Sequence, residues 1–428
     1  MAELAKLAPA IDWPAFFAAV GVPSLARSDA KLDVSVPSFV RGLNAQVAGA
    51  PLDTWRAYLR WSVLRGSANW LSEPYLREAL ALQQALTGTG VALPRWKRAA
   101  AVVDATMGEA LGKAYVATEF PPESKARMME MVSNLQAAFA ERIRTRTWMS
   151  EATKKQAIAK LEAVLKKIGY PDTWRDYSGL EIDPALSGYE NLRRAQTFEV
   201  RRQLAQIGKP VDRTEWGMSP PTVNAYYNPN INEIVFPAGI LQPPRFDPDV
   251  DDAFNYGAAG MVIGHELTHG FDDEGRQYDA RGNLRDWWTA EDAKHFDVEA
   301  RKVERQYSAY VGIDTLHLNG RMTLGENIAD IGGLTIAYHA WKRSLNGRPS
   351  PVIDGFTGEQ RFFLGHAQVW RVKMREAMLR TTVLSNEHSP SYWRVDGPLS
   401  VMPEFAEAFH CKPGDRMRVG DEGRASIW

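Results

Sequence analysis

The segment His265-Glu266-Leu267-Thr268-His269 is the part of this sequence best suited to chemistry. On a helix, side chains four positions apart share a face, so the two imidazoles can reach one tetrahedral Zn²⁺ ion. Glu266 lies one step around the helix, where it can take a proton from a water at the metal and later pass it to a leaving amine. The apolar flank 261–263 argues against two solvated surface histidines. The segment therefore predicts a catalytic site with one zinc ion per chain.

A third protein ligand is expected, because catalytic zinc sites hold three side chains and leave one position open. Glu326 is the best candidate, and Asp330 follows four residues later on the same face of a predicted helix. We assign Glu326 to the metal and Asp330 to the distal N–H of a ligand histidine. An acidic pair at this spacing is often a solvated face. Here the apolar neighbours Ile328 and Ile331 favour a cation or a donor nearby.

The elements that must position these residues are predicted to be mainly helices with one small sheet. Residues 223–227 and 231–236 are rich in β-branched and aromatic residues and flank Asn228-Pro229-Asn230, which predicts a β-hairpin. Apolar residues at three- and four-residue spacing predict the helices. These cover residues 13–20, 38–47, 52–65, 74–86, 95–117, 123–145, 150–168, 189–207, 254–271, 290–307, 325–344, 358–379 and 402–409.

Length and composition predict a globular protein of two or three folding units. Of the 428 residues, 45% are hydrophobic and 24% are charged, and the formal net charge of -1 argues against a nucleic-acid partner. The sequence contains no run of about 18 apolar residues, so no transmembrane helix is predicted. A proline-rich break at residues 118–124 divides the chain into an N-terminal helical lobe, residues 1–117, and a catalytic domain with linker helices, residues 118–428.

The two motifs and their flanks resemble the neprilysin-like family of zinc endopeptidases (M13 peptidases), in its bacterial oligopeptidase branch. The similarity covers residues 265–272 and 325–330, and it extends to residues 223–229, 387–394 and 405–411. It spans essentially the whole chain and is most specific from residue 222 onward. The resemblance implies a catalytic domain of the zincin type, with the N-terminal helical lobe only partly present.

For the metal site, the resemblance implies the same assignment as the spacing. It supports His265, His269 and Glu326 as zinc ligands. It also supports Glu266 as the general base and Asp330 as the residue that orients a ligand histidine. The implied activity is hydrolysis of peptide bonds in short peptides.

For the substrate, the resemblance implies four further residues. Asn224 and the backbone of Ala225 are expected to hold a peptide in extended form against the sheet edge, as in β-strand addition. His388 is expected to stabilise the tetrahedral oxyanion. Arg394 is expected to hydrogen-bond the carbonyl group that follows the scissile bond.

The chain also departs from the family pattern. Part of the family's N-terminal helical portion is missing, which predicts a truncated chain with further sequence upstream. The family's terminal Cys-x-x-Trp reads Ala425-Ser426-Ile427-Trp428, so Cys411 is unpaired, which favours a bacterial source. The resemblance implies a location outside the cytoplasm, periplasmic or secreted, with any signal upstream. Truncation predicts exposed apolar side chains on the N-terminal lobe, from among Trp55, Tyr58, Leu59, Trp61, Leu64 and Trp70.

Two classes of function stay open at this point. The first is an active zinc metalloendopeptidase. The second is a catalytically silent, neprilysin-like fragment that acts as a binding or scaffold protein. A different zincin, with His295 or His317 as the third ligand, is less well supported because neither histidine lies in an acidic helix motif.

Overall fold

The computed structural model describes all 428 residues and is built mainly from helices with two small sheets. This confirms the predicted mainly α fold class. Contacts divide the chain into two compact units, each of which draws on two segments of the sequence. The first unit comprises Met1–Leu82 and Tyr177–Asp212, and the second comprises Gln83–Asp176 and Arg213–Trp428.

This division differs from the boundary predicted between residues 117 and 118. The long helix Arg95–Glu119 lies wholly within the second unit, where its small residues pack against a loop of that unit. A Cβ atom on Gly112 would lie only 2.4 Å from Cδ of Pro220, so the helix and the loop are in close contact. Phe120, at the proline break, is buried. The break therefore separates two helices within one unit.

The first unit is entirely helical in its regular structure. Ser187 caps its last helix through a reciprocal pair of bonds with Glu190, which satisfies two backbone N–H groups. A Cβ atom on Gly188 would lie 2.5 Å from the ring of Trp70, so the two segments of this unit pack together here. The unit contains, wholly or in part, the helices Ala2–Leu7, Trp13–Ala19, Pro37–Gly49, Leu52–Ser67, Glu73–Thr87 and Gly188–Leu204, with 3₁₀ turns at Pro23–Ala26 and Ala68–Trp70.

The helix Leu52–Ser67 exposes large apolar side chains to solvent. Tyr58, Leu59, Trp61 and Leu64 are all exposed, whereas Trp55 and Trp70 are half-buried. The predicted exposure is therefore confirmed at four of the six positions.

The second unit holds the large hydrophobic core and both sheets. No helix of the chain is both long enough and apolar enough to cross a membrane. One helical run of this unit, Asp252–Asn255, continues through a π-helical turn at Tyr256–Gly260 into Met261–His269. The remaining helices are Arg95–Glu119, Pro122–Thr145, Glu151–Glu162, Ala290–Ser308, Leu324–Ser344, Gly358–Val369, Glu376–Ser385, Ser391–Val401 and Pro403–Ala408, with a 3₁₀ turn at Gly275–Gln277.

The main sheet has three strands in the order β1 (Leu165–Gly169), β3 (Glu233–Pro237) and β2 (Tyr226–Asn228). β1 pairs with β3 in parallel, and β2 pairs with β3 in antiparallel fashion. The predicted hairpin is thus confirmed, and β2 is left at an edge of the sheet. A second sheet consists of β4 (Val311–Ile313) and β5 (Leu316–His317).

Two predicted helices are wrong in extent. The helix predicted over residues 150–168 ends at Glu162, and the residues that follow form β1, because parallel pairing with β3 outweighs their local pattern. The helix predicted over residues 358–379 ends at Val369, and a separate helix begins at Glu376. The helix Ser391–Val401 was not predicted, and it contains Pro398.

Candidate metal centre

The helices Met261–His269 and Leu324–Ser344, called here the metal helix and the acidic helix, touch backbone to backbone. A Cβ atom on Gly264 would lie 2.5 Å from the carbonyl oxygen of Gly333. A Cβ atom on Gly333 would lie 2.4 Å from the backbone nitrogen of His265. Glycine at both positions therefore permits the close approach that sets the histidines of one helix beside the carboxylates of the other.

The three predicted ligands meet at one point. His265 Nε2 lies 3.0 Å from His269 Nε2, and the carboxylate of Glu326 lies 3.3 Å from the first and 3.6 Å from the second. Ligand atoms about 2.0–2.2 Å from a tetrahedral zinc are separated by about 3.4 Å, so this spacing fits a zinc ion. Oε2 of Glu326 is also buried and accepts no hydrogen bond of good geometry, as expected of an atom that binds a cation.

A carboxylate holds the distal nitrogen of each histidine. His265 Nδ1 lies 2.8 Å from Asp330 Oδ1, which agrees with the predicted position of Asp330. His269 Nδ1 lies 2.7 Å from Asp272 Oδ2, an interaction that the sequence analysis missed. The second oxygen of Asp272 accepts the backbone N–H groups of Glu274 and Gly275, which fixes the carboxylate in place. The spacing of three residues between His269 and Asp272 is the signal that could have revealed it.

Replacement of Asp272 by alanine should weaken zinc binding by about 10- to 100-fold, because the ring of His269 loses the group that orients it. Competition with a chromophoric chelator measures this affinity. Asp272→Asn keeps an oxygen that can accept the Nδ1–H bond and should lie between the wild type and Asp272→Ala. Wild-type zinc affinity in the alanine variant would show that Asp272 does not support the metal site.

In the cluster, imidazole groups lie beside carboxylates, and each kind of group shifts the pKa of the other. Burial alone would lower the pKa of His265, but Asp330 and Glu326 outweigh it and raise the pKa to about 10. Burial would raise the pKa of Glu326, yet the neighbouring imidazoles lower it to about 2. A divalent cation can supply the same positive charge once the imidazoles give up their protons. At Glu266, burial dominates and raises the pKa above its ordinary value.

A cleft of about 540 Å³ contains the cluster and most of the other predicted site residues. Only Asp330 does not line it, because this carboxylate is fully buried. Asn224 and Ala225 line the cleft immediately before the edge strand β2. The residues that the sequence analysis assigned and that line the cleft are Asn224, Ala225, His265, Glu266, His269, Glu326, His388 and Arg394.

His388 and Arg394 both reach the metal cluster. Nε2 of the partly exposed His388 lies 3.1 Å from Oε2 of Glu326. Arg394 forms a two-pronged bond with Asp330, at 2.8 and 2.7 Å, and its guanidinium lies 4.2 Å from the ring centre of Trp370. The family resemblance implies a substrate role for Arg394, and this bond with Asp330 was not predicted. Arg394 therefore also engages the carboxylate that lies 2.8 Å from His265 Nδ1.

Comparison with known proteins assigns the family. Sequence models of peptidase family M13 match residues 1–171 and residues 224–425. The chain belongs to peptidase family M13. This confirms the family that the motifs resemble, and the second match contains every side chain of the metal cluster.

Curated relatives of this M13 chain are longer than the chain itself. Neprilysin-3 of Drosophila melanogaster is 36% identical over 444 residues, which cover 100% of this chain and 56% of that protein. Human endothelin-converting enzyme 1 is 37% identical over 428 residues, which cover 97% of this chain and 55% of that protein. The chain thus spans little more than half the length of these relatives.

Solved structures of similar proteins agree in fold. Zinc metalloprotease Zmp1 of Mycobacterium tuberculosis, in complex with an inhibitor, superposes with a TM-score of 0.94 at 41% identity. The match covers 100% of this M13 chain and 65% of that chain. PepO of Lactobacillus rhamnosis superposes with a TM-score of 0.85 at 29% identity, over 99% of this chain and 68% of that chain.

Proposed function

We propose that this chain is a zinc metalloendopeptidase that hydrolyses peptide bonds of short peptides. The observation that carries the proposal is the convergence of His265, His269 and Glu326 at zinc-ligand spacing, with Glu266 beside them in an open cleft. The names of two similar proteins support the proposal. Zmp1 is named a zinc metalloprotease, and the human relative is named endothelin-converting enzyme 1.

In this proposal, His265, His269 and Glu326 hold the zinc ion. Bound zinc supplies a Lewis acid that polarises the scissile carbonyl group and makes water more acidic. Glu266 removes a proton from the attacking water and later delivers it to the nitrogen of the leaving amine. The position of the Glu266 carboxylate in the cleft, next in sequence to the ligand His265, suits both steps, because the group must gain and then lose a proton.

The substrate residues act around this centre. An extended peptide adds to the free edge of β2 and hydrogen-bonds with Asn224 and the backbone of Ala225. His388 donates to the oxyanion of the tetrahedral intermediate. Arg394, held by Asp330, donates to the carbonyl group after the scissile bond. We propose a location outside the cytoplasm of a bacterium, which stays a prediction.

Chelation tests the proposal. Cleavage of a short apolar peptide, followed by mass spectrometry, should stop when a strong chelator is added. It should return when one equivalent of zinc is restored, because the three ligands hold a single ion. A zinc-loaded protein that binds the peptide and leaves it intact would contradict the proposal and favour the catalytically silent binding protein.

A further inference from the structure

Apolar side chains line the cleft together with its polar groups. Arg245 lines the same cleft and brings a positive charge to it. A cationic side chain among apolar groups needs an anionic partner to offset its loss of hydration. The apolar residues that line the cleft include Met218, Val223, Ile240, Met261, Val262, Val369 and Trp370.

Arg245 has no such partner within the chain. Its half-buried side chain forms no hydrogen bond, and no carboxylate oxygen lies within 4.0 Å of its nitrogens. Burial lowers its pKa, and no acidic neighbour offsets that effect. Arg394 in the same cleft is the contrast, because the carboxylate of Asp330 engages it at two positions.

The acidic side chains of the cleft are engaged elsewhere or lie out of reach. Glu326 faces the histidines of the metal cluster, and Asp272 is bonded to His269. The carboxylates of Glu266, Glu274 and Glu387 also line the cleft and form no ion pair with Arg245. The five N–H donors of this guanidinium are therefore available to a ligand.

The loop that carries Arg245 is firmly held. The backbone N–H of Arg245 donates to the carbonyl oxygen of Gln242 at 2.9 Å. Ile240, Leu241 and Phe246 on either side are buried in the core. A guanidinium on a fixed loop loses little further freedom when it binds a carboxylate, and its planar fork suits a two-pronged bond.

We propose that Arg245 is a specificity-determining residue that selects peptides carrying a carboxylate at the position which lies against it. The carboxylate is either an acidic side chain or the C-terminus of a short peptide. This inference rests on the proposed peptidase function and names the substrate class of the same cleft.

Four peptides of one apolar sequence separate the two sources. They carry Gln or Glu at one residue beside the scissile bond, each with a free or an amidated C-terminus, and the set is repeated with that residue on the other side of the bond. The zinc-loaded wild type should cleave at least one carboxylate-bearing peptide about 10-fold more efficiently, in kcat/KM, than the neutral peptide. Preference for the Glu amide identifies a side chain as the partner, and preference for the Gln acid identifies the terminus.

Arg245→Leu should reduce the ratio of kcat/KM between carboxylate-bearing and neutral peptides to about one, because the guanidinium that would pair with the carboxylate is gone. Arg301→Leu removes the same charge from an exposed position outside the cleft and should keep the wild-type ratio. Wild-type preference in Arg245→Leu, or no preference in the wild type, would overturn the inference while leaving the peptidase function intact. Failure to cleave any of the peptides would overturn the peptidase function. Equilibrium binding of the same peptides would then test Arg245 by the same ratio.

Discussion

Glu266→Gln should bind zinc as the wild type does and cleave peptides about 10²- to 10⁴-fold more slowly. The amide matches the carboxylate in size, so the three ligands His265, His269 and Glu326 keep their positions. An amide cannot accept a proton from the attacking water, and it cannot pass one to the leaving amine. The loss should therefore appear in kcat rather than in zinc content, which kinetic assay and elemental analysis measure separately.

Thermal stability is the control that shows whether this variant keeps its fold. Thermal unfolding of the zinc-loaded Glu266→Gln protein should resemble that of the wild type, because the substitution is isosteric at a buried position. Wild-type turnover in this variant would show that Glu266 is not the general base.

Glu326→Ala should instead lose the metal and, with it, the activity. The carboxylate lies 3.3 Å from His265 Nε2 and 3.6 Å from His269 Nε2, so its removal takes away one of three ligands. Two histidines alone leave zinc with an incomplete protein ligand set. Zinc content after dialysis should fall far below one ion per chain in this variant.

Glu291 provides a matched control for Glu326. Both are acidic residues in the first turn of a helix, but Glu291 is exposed and lies outside the cleft. Glu291→Ala should keep both zinc and turnover. A Glu326→Ala protein with a full zinc content would mean that another group completes the site, and the ligand assignment would be wrong.

The parts of the site that could be predicted from sequence are those set by local spacing. The residues of His265-Glu266-x-x-His269 and of the pair Glu326 and Asp330 lie on single helices, where four-residue spacing fixes their common face. The bond of Arg394 with Asp330 joins residues 64 positions apart, so no local pattern reveals it. The unpaired state of Arg245 is likewise a property of the folded cleft.

The same distinction, between local spacing and contacts distant in sequence, explains which parts of the fold could be predicted. Most helices follow the apolar periodicity of their own sequence, and the hairpin of β2 and β3 is encoded by its turn residues. β1 was mistaken for helix because its partner β3 lies more than 60 residues away along the chain. The unit boundaries could not be read from the proline break at Pro121, because each unit is assembled from two separate segments.

Anomalous diffraction from crystals of the zinc-loaded protein tests the central claim most directly. We expect one zinc peak per chain, about 2.0–2.2 Å from His265 Nε2, His269 Nε2 and a carboxylate oxygen of Glu326. Glu266 should lie beside this peak without contacting the metal. A peak elsewhere, or a Glu326 carboxylate that faces solvent away from both imidazoles, would contradict the account.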